Sequence, residues 1–373
     1  MFLALRELKH AKLRFFMISM ILVLIAWLVF ILSGLGNGLS SLSASSFKNM
    51  KADYVVFEEG SRHSMLRSVI SEDVTEELKG LEQVKDAAPM GTRTAVILKE
   101  KTTSTDGKID VSLMGINPGT FLEPEVIEGH PLTEGKDLEV IVNDTLKNQG
   151  IELGDTLEIE GTTNVIKVGG FVKNESFNHL PAIFMTMDLW RDIHFAAPGS
   201  DMGADKPVNA IMLQGEKINP EQVDQSVEGI ETATKQEAIN GLPGYTAENG
   251  TIMMMLTFLL AISAFVITVF FYVLTLQKSN QFGIMKAIGA NNAFLGRAVV
   301  SQVFLLAVIS IGIGILLTYG TALILPEAMP FALDPKLVII YAMVLLVVSV
   351  LSSLLSVRKI TKIDPLQAIG RVE

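Results

Sequence analysis

The chain has 373 residues, of which 49% are hydrophobic, and its formal net charge is −10. A positive mean hydropathy alongside this many charges is unusual for one soluble domain and is typical of a membrane protein that also carries a polar domain. Because the sequence contains no cysteine, disulfide bonds and thiolate metal sites are excluded.

Four long runs contain no Asp, Glu, Lys or Arg and predict membrane-spanning helices: 16–35, 252–276, 298–325 and 337–357. A bilayer core of ~30 Å needs roughly 20 apolar residues, and each charge at a helix centre costs about 2.5 to 3.5 kcal/mol. The first run, with basic residues before it and "SLSASS" after it, could alternatively be a signal peptide. Its length and the absence of a clear A-x-A site favour a spanning helix.

The basic residues predict the orientation of these helices. Four Lys/Arg precede the first helix, three lie in 277–297 and four follow residue 357, whereas 36–251 holds 18 Lys/Arg and 35 Asp/Glu. Since basic flanks stay in the cytoplasm, both termini are predicted inside and the large acidic segment outside.

This gives nine segments in chain order. They are a cytoplasmic basic segment (1–15), transmembrane helix 1 (16–38), an extracellular domain (39–244), helix 2 (245–276), a cytoplasmic coupling loop or helix (277–297), helix 3 (298–325), an extracellular turn (326–336), helix 4 (337–357) and a cytoplasmic tail (358–373).

Runs rich in β-branched residues, separated by Gly, Asp and Pro, predict strands in the external segment: 53–59, 94–100, 110–116, 137–143, 155–161, 164–172, 182–187 and 209–215. Amphipathic patterns predict short helices at 72–81, 142–150, 186–193 and 218–230. In the last of these, Asn219 before Pro220 is typical of an N-cap followed by proline at the first helical position. The external domain is therefore predicted to be α+β.

The sequence lacks the motifs of several classes of enzyme and metal site. No G-x-x-x-x-G-K-[ST] phosphate-binding loop occurs, and the five histidines have no zinc-ligand spacing. Four of the histidines lie in the external segment and are expected at its surface: His63, His130, His179 and His194. With no G-x-S-x-G and no convincing carboxylate pair, the chain is not expected to be an enzyme.

The most specific stretch is "LQKSNQFGIMKAIGANNAFLGRAVVSQ" (276–302), in which Ile284, Ala287 and Ile288 form an apolar stripe. It is compatible with a plain interfacial helix in a basic cytoplasmic loop, or with a helix that a partner grips. "QFGIMKAIGA" (281–290), "IDPLQAIG" (363–370) and the arrangement of one helix plus three resemble the FtsX-like, MacB-type (type VII) ABC transporter permeases. Together with "YTAE" (245–248) and "MPFAL" (329–333), they most resemble the HrtB-like heme-efflux permeases of Gram-positive bacteria.

The resemblance implies an α-helical membrane protein with four transmembrane helices and a large extracellular α+β domain between helices 1 and 2. It implies a homodimer in contact with membrane lipid and paired with two copies of a cytoplasmic ABC ATPase subunit, which binds ATP and Mg²⁺. The coupling contacts would be Gly283, Met285, Lys286 and Gly289, with Asp364 and Pro365 nearby. Heme would be the transported ligand, with no intrinsic cofactor and no nucleic-acid partner.

A candidate heme site lies at the start of helix 2. If 245–269 forms one helix, Tyr245, Glu248, Ile252 and Met255 fall on one face. Ferric iron accepts carboxylate or phenolate oxygen, which favours Glu248 as the axial ligand to the heme iron, with Tyr245 second and Met255 and Ile252 lining the walls. Ser33, Gly34, Gly36 and Gly38 of helix 1 would permit close approach nearby.

Other interpretations of these residues stay open. An acid at a helix N-terminus is favourable by itself, methionines in a membrane helix usually serve packing, and Asn249-Gly250 could delay the helix start to Thr251. The same family could instead export an antimicrobial peptide, a lipid or a lipoprotein. A non-transporting mechanotransmitter that activates a cell-wall hydrolase is a further alternative.

Overall fold

The computed structural model describes residues 12–99, 107–135, 138–197, 199–326 and 329–361. The basic segment up to residue 11, and the tail from 362 with Asp364 and Pro365, lie outside the described residues. The chain divides into two compact units, Leu39–Asn249 (the α+β unit) and Met1–Gly38 with Gly250–Glu373 (the helical unit).

The helices, numbered along the chain, are α1 Lys12–Asn49, α2 Val74–Lys79, α3 Met187–His194, α4 Pro220–Ser226, α5 Lys235–Asn240, α6 Tyr245–Gln277, α7 Ser279–Ala287, α8 Asn292–Ala322 and α9 Pro335–Thr361. Four stretches in them are long and apolar enough to cross a membrane: Phe15–Asn49, Tyr245–Gln277, Asn292–Ala322 and Pro335–Leu354. They begin up to seven residues before the charge-free runs, because polar helical turns extend the apolar segments.

Small residues set the spacing in the helical unit. A Cβ on Gly314 of α8 would lie 2.8 Å from the Cβ of Ala26 in α1, so these helices approach closely. Cβ atoms on Gly34 and Gly38 would lie 2.5 and 2.3 Å from Phe331 Cε2 and the Pro330 carbonyl oxygen. The glycines of helix 1 therefore do permit close approach, and part of the "MPFAL" segment fills the space.

The strands of the α+β unit are β1 Tyr54–Glu58, β2 Ile70–Ser71, β3 Asp86–Lys99, β4 Lys108–Ile116, β5 Val126–Gly129, β6 Glu139–Asn143, β7 Thr156–Ile159, β8 Val165–Val172, β9 Ser176–Phe177, β10 Leu180–Thr186, β11 Pro207–Val208, β12 Ala210–Gln214 and β13 Ile230–Thr234. The main sheet runs β13-β1-β12-β3-β4-β10-β6-β8-β5, with β7 beside β3 and β8, and β9 beside β10. Strand β10 is parallel to β4 and antiparallel to β6.

The sheet is buried on both faces. Successive residues of a strand point to opposite sides, and in β10 Ile183 belongs to one hydrophobic cluster whereas Phe184 belongs to the other. Residues of α2, α3 and α4, including Leu78 and Trp190, cover the first face. The end of α1, with Phe47, covers the second face.

All eight predicted strands are present, and Asn219 caps α4 with Pro220 in its first turn. The helix predicted at 142–150 is a 3-10 helix at Asp144–Gln149, and the one predicted at 218–230 ends at Ser226 because β13 begins at Ile230. Unpredicted elements are short: β2, β5, β9, β11, β13 and α5.

Candidate functional site

The centre of the candidate site is the hairpin of β9 and β10, in which Phe177 pairs with Leu180. The two residues between them, Asn178 and His179, have φ of 51° and 65°. Positive φ at both central positions is the backbone of a type I′ turn, whose twist matches that of the flanking strands. Asparagine tolerates this region well, and the turn places the His179 imidazole at the tip of the hairpin.

This hairpin contacts α1 at a break in the helix. Ala44 has a non-helical backbone (φ −148°, ψ 17°), which interrupts the helical hydrogen-bond ladder. The carbonyls of Leu42 and Ser43 accept hydrogen bonds from His179 N (3.1 Å) and Asn178 N (2.9 Å). The turn thereby supplies the donors that a broken helix lacks.

Glu248 lies in the first turn of α6 and reaches the hairpin tip. Its Oε1 lies 3.2 Å from His179 Nε2, and its Oε2 accepts a hydrogen bond from Ser43 Oγ at 3.4 Å. Ser43 Oγ is also 3.2 Å from His179 Nε2. Ser43, His179 and Glu248, here called the Glu248 cluster, therefore come together from three elements separated by up to 205 positions in the chain.

The Glu248 cluster is accessible without being fully solvated. The side chains of His179 and Glu248 are 35% and 36% exposed. A carboxylate and an imidazole at this distance bind each other, a proton or a metal centre with open coordination positions. The site thus offers one oxygen and one nitrogen donor to a ligand.

Tyr245 is the first residue of α6, one helical turn before Glu248. It is buried, and its hydroxyl lies 3.0 Å from Ser40 Oγ. Lys48 donates to the same Ser40 hydroxyl at 2.7 Å and lies 5.6 Å from the centre of the Tyr245 ring. These contacts hold the start of α6 against α1 and use the phenol as part of the core.

The helix begins at Tyr245, so Glu248 is in its first turn and the alternative start at Thr251 is wrong. In the helical unit, Ile252 packs on α1, since a Cβ on Gly36 would lie 2.5 Å from Ile252 Cγ2. Met253, Met254 and Met255 are all exposed within the described chain, and their packing role stays a prediction.

The predicted coupling residues lie on and after α7. Gly283 is buried, Met285 packs against the bundle core, Lys286 is half-buried and Gly289 is exposed. Gly289 has φ +99° and donates to Lys286 O, while Ala290 N donates to Met285 O. This is a Schellman motif, which needs a left-handed residue and explains the glycine. The apolar side chains of Ile284 and Ile288 are left exposed.

Two histidines differ from the expectation that they are ordinary surface residues. The sequence predicts His179 at the surface and assigns it no role. Its neighbourhood in the sequence gives no sign of a site except an Asn-His pair between two β-rich runs. His194 is predicted at the surface as well, but its Nδ1 is buried and hydrogen-bonds to no described residue, and its ring stacks on Trp190 with ring centroids 4.6 Å apart. Its helix packs on the sheet and carries the ring inward.

No group of three or more His, Cys, Asp or Glu side chains able to hold a metal ion occurs among the described residues. A bare ion would need such a set.

Comparisons with known proteins place the chain. A family model described as MacB-like periplasmic core domain matches residues 15–230, and one described as FtsX-like permease C-terminal matches residues 253–365. The extracellular domain of the noncanonic ABC-type transporter YknZ from Gram-positive bacteria aligns with 48% of this chain and 98% of its own, at 15% identity and a TM-score of 0.35.

Relatives match along the full length. The "putative hemin transport system permease protein HrtB" of Staphylococcus epidermidis is 29% identical, covering 99% of both chains. The protein of the same name in Staphylococcus haemolyticus is 28% identical, covering 100% of this chain and 99% of the relative. Together, the two family models account for most of the chain. The chain therefore belongs to the family of ABC transporter permeases that join a MacB-like periplasmic core domain to an FtsX-like permease C-terminal domain.

Proposed function

We propose that this permease is the membrane subunit of a heme exporter. It takes heme from the lipid bilayer and expels it outward, driven by a separate cytoplasmic ATPase. Family membership supports the permease role, and the names of the staphylococcal relatives support hemin as the cargo. The observation that carries the proposal is the contact of the Glu248 carboxylate with the His179 imidazole.

The donor chemistry of the cluster suits ferric heme. Carboxylate oxygen is a hard ligand that ferric iron accepts, and imidazole nitrogen is a common axial ligand of heme. Within the protein, Glu248 Oε1 and His179 Nε2 lie 3.2 Å apart and bind each other. Heme binding would replace this contact by a bond from one of the two groups to iron. We assign Glu248 as the axial ligand, with His179 as its hydrogen-bond partner or as the alternate axial ligand.

The other predicted ligand residues take supporting roles in this proposal. Tyr245 would have to give up its 3.0 Å contact with Ser40 to reach iron, so it ranks behind Glu248 and His179. Met255 and Ile252 stay predicted as apolar lining for the porphyrin. Thioether sulfur prefers softer, reduced iron, which suits Met255 to a wall better than to a ligand of ferric heme.

Energy would enter at α7, which follows the end of α6 in the chain. Ile284 and Ile288 are spaced by one helical turn and present an apolar face on α7, with Lys286 beside it. An exposed apolar patch next to a basic residue is suited to bind a protein partner. We assign this face as the coupling element for two ATPase subunits on a homodimer whose termini are cytoplasmic. Gly289 would end the helix at this face, and the buried Gly283 and partly buried Met285 would support it from the side of the bundle core.

A hemin titration of the purified full-length protein in nanodiscs tests the ligand assignment. Hemin should shift the Soret band to saturation. Glu248→Gln removes the anionic ligand at nearly constant shape and should weaken binding at least about tenfold, or ~1.4 kcal/mol. His179→Asn keeps a residue that tolerates positive φ and should alter the position of the band.

Glu228→Gln is the matched control, because Glu228 is an exposed acid elsewhere in the α+β unit. Its titration should equal that of the wild type. Unchanged spectra in both Glu248→Gln and His179→Asn would refute the ligand assignment. Absence of any saturable shift in the wild-type protein would refute heme as cargo and favour a peptide, lipid or lipoprotein.

A further inference from the structure

The α+β unit contains a second candidate site, a cavity of about 440 Å³. It lies between the end of α1, the segment after β4 and the segment that leads into β9, and it shares no lining residue with the Glu248 cluster. Sites for small molecules are commonly in the range of ~300–1,000 Å³. The cavity is therefore large enough for a ligand of its own.

An acid without a cation lies in the wall of this cavity. Glu175 is only 6% exposed, and Asn49 Nδ2 donates to its Oε1 at 2.9 Å. Burial raises the pKa of the Glu175 carboxyl, whereas Asn49 and the nearby Ser46 hydroxyl oppose the rise. Among the described residues no lysine, arginine or histidine forms an ion pair with it. A buried carboxylate is costly unless a positive group compensates it.

A second polar group, the Ser46 hydroxyl, lies in the same wall. It is fully buried and lies close enough to the Glu175 carboxyl to lower its pKa. Ser46 and Asn49 are both neutral, so neither supplies the positive charge that a buried carboxylate needs. The Ser46 oxygen is able to accept a hydrogen bond from an ammonium group that also contacts Glu175.

The remaining lining is apolar within and charged at its edge. Leu122 and Phe184 are buried, whereas Lys51 and Lys173 are exposed. Of the other acids, Glu123 already accepts hydrogen bonds from Leu132 N (2.9 Å) and Gly119 N (3.1 Å). The lining thus combines an uncompensated acid inside, apolar walls, and lysines that are able to meet an anion.

We propose that this cavity binds a short apolar peptide with free termini. Its N-terminal ammonium contacts Glu175 and Ser46, its side chains contact the apolar walls, and its C-terminal carboxylate contacts Lys51 or Lys173. The proposed ligand is thus a zwitterion, and its site shares no residue with the proposed heme ligands.

Calorimetry on the full-length protein in nanodiscs tests the proposal with three probes: leucyl-leucine, N-acetyl-leucyl-leucine and leucyl-leucinamide. Leucyl-leucine should bind at least about tenfold more tightly than the acetylated probe, since an ion pair with hydrogen bonds is lost. The amide should bind between them. Empty nanodiscs measure partitioning into lipid.

Variants locate the site. Glu175→Gln should remove the preference for the free amine, and Glu228→Gln, an exposed acid elsewhere in the unit, should leave it unchanged. Both variants should keep the wild-type Soret response to hemin, which shows intact folding and separates this proposal from the heme proposal. Equal binding of free and acetylated probes to the wild-type protein, or no binding of either, would overturn it.

Discussion

The imidazole of His194 lies in an aromatic enclosure. It stacks on Trp190 with centroids 4.6 Å apart and meets Phe195 edge-on at 4.5 Å. Burial, with a smaller contribution from the charge of Arg93, lowers the pKa of His194 to about 4 from an ordinary 6.5. The folded state therefore holds this ring neutral over a range in which the unfolded chain protonates it.

The α+β unit should for this reason lose stability as pH falls from 6.5 towards 4. In this window the unfolded state binds a proton at His194 that the folded state does not, so the free energy of unfolding decreases with decreasing pH. Thermal melting between pH 7 and pH 4 measures it. His194→Gln cannot be protonated and should show a flatter dependence; identical pH dependences would contradict the assignment.

Trp190 packs against two glycines of the sheet, a contact that sequence patterns do not predict. Gly91 of β3 and Gly115 of β4 are paired across the sheet, and a Cβ on either would lie 2.4 or 2.6 Å from Trp190 atoms. Glycine in a strand interior indicates close approach of another group. The sequence alone did not identify that group, because Trp190 lies about 75 to 100 residues further along the chain.

The hairpin of β9 and β10 is the element on which the candidate site depends. Its turn residues have positive φ, which asparagine and glycine adopt readily and β-branched residues do not. Asn178→Val should destabilise the α+β unit by about 1–3 kcal/mol. It should also weaken hemin binding, because the turn positions His179.

Asn178→Gly is the matched control, since it accepts the same backbone conformation. Its melting temperature and hemin affinity should stay close to those of the wild type. Thermal melting and the Soret titration, run on both variants, test the two effects. Equal behaviour of Asn178→Val and the wild type would show that the turn does not position the imidazole.

Prediction from sequence succeeded for elements whose signal is local. Long charge-free runs gave the apolar helices, and β-branched runs gave eight strands. It failed for elements of two to six residues such as β9 and α5, whose pairing partners define them more than their composition. Glu248 was singled out from its own neighbourhood, but its contact with His179 joins residues 69 positions apart and has no local signature.

At the level of the assembled transporter, α7 provides a test of energy coupling. Ile288 is 80% exposed, and a charge there should oppose burial against an ATPase subunit. Ile288→Asp and Lys286→Glu should each reduce co-purification with the ATPase and its stimulated ATP hydrolysis. Hemin binding by the permease should be unaffected.

Ile324→Asp provides the matched control, because Ile324 is equally exposed but follows the opposite end of α8. It should leave ATPase assembly intact. If all three variants assemble normally, α7 is not the coupling element. Protection of cells from heme by the permease without any ATPase subunit would contradict energised export.

The contacts of Ser40 with Tyr245 and of Ser43 with Glu248 have a consequence for how the permease is built. They join the first and last few residues of Leu39–Asn249, so the chain enters and leaves this unit at one place. A domain with adjacent chain ends is a cassette that can be exchanged between relatives without opening its core. Since Ser43, His179 and Glu248 all lie inside the cassette, such an exchange would transfer the complete cluster in one step.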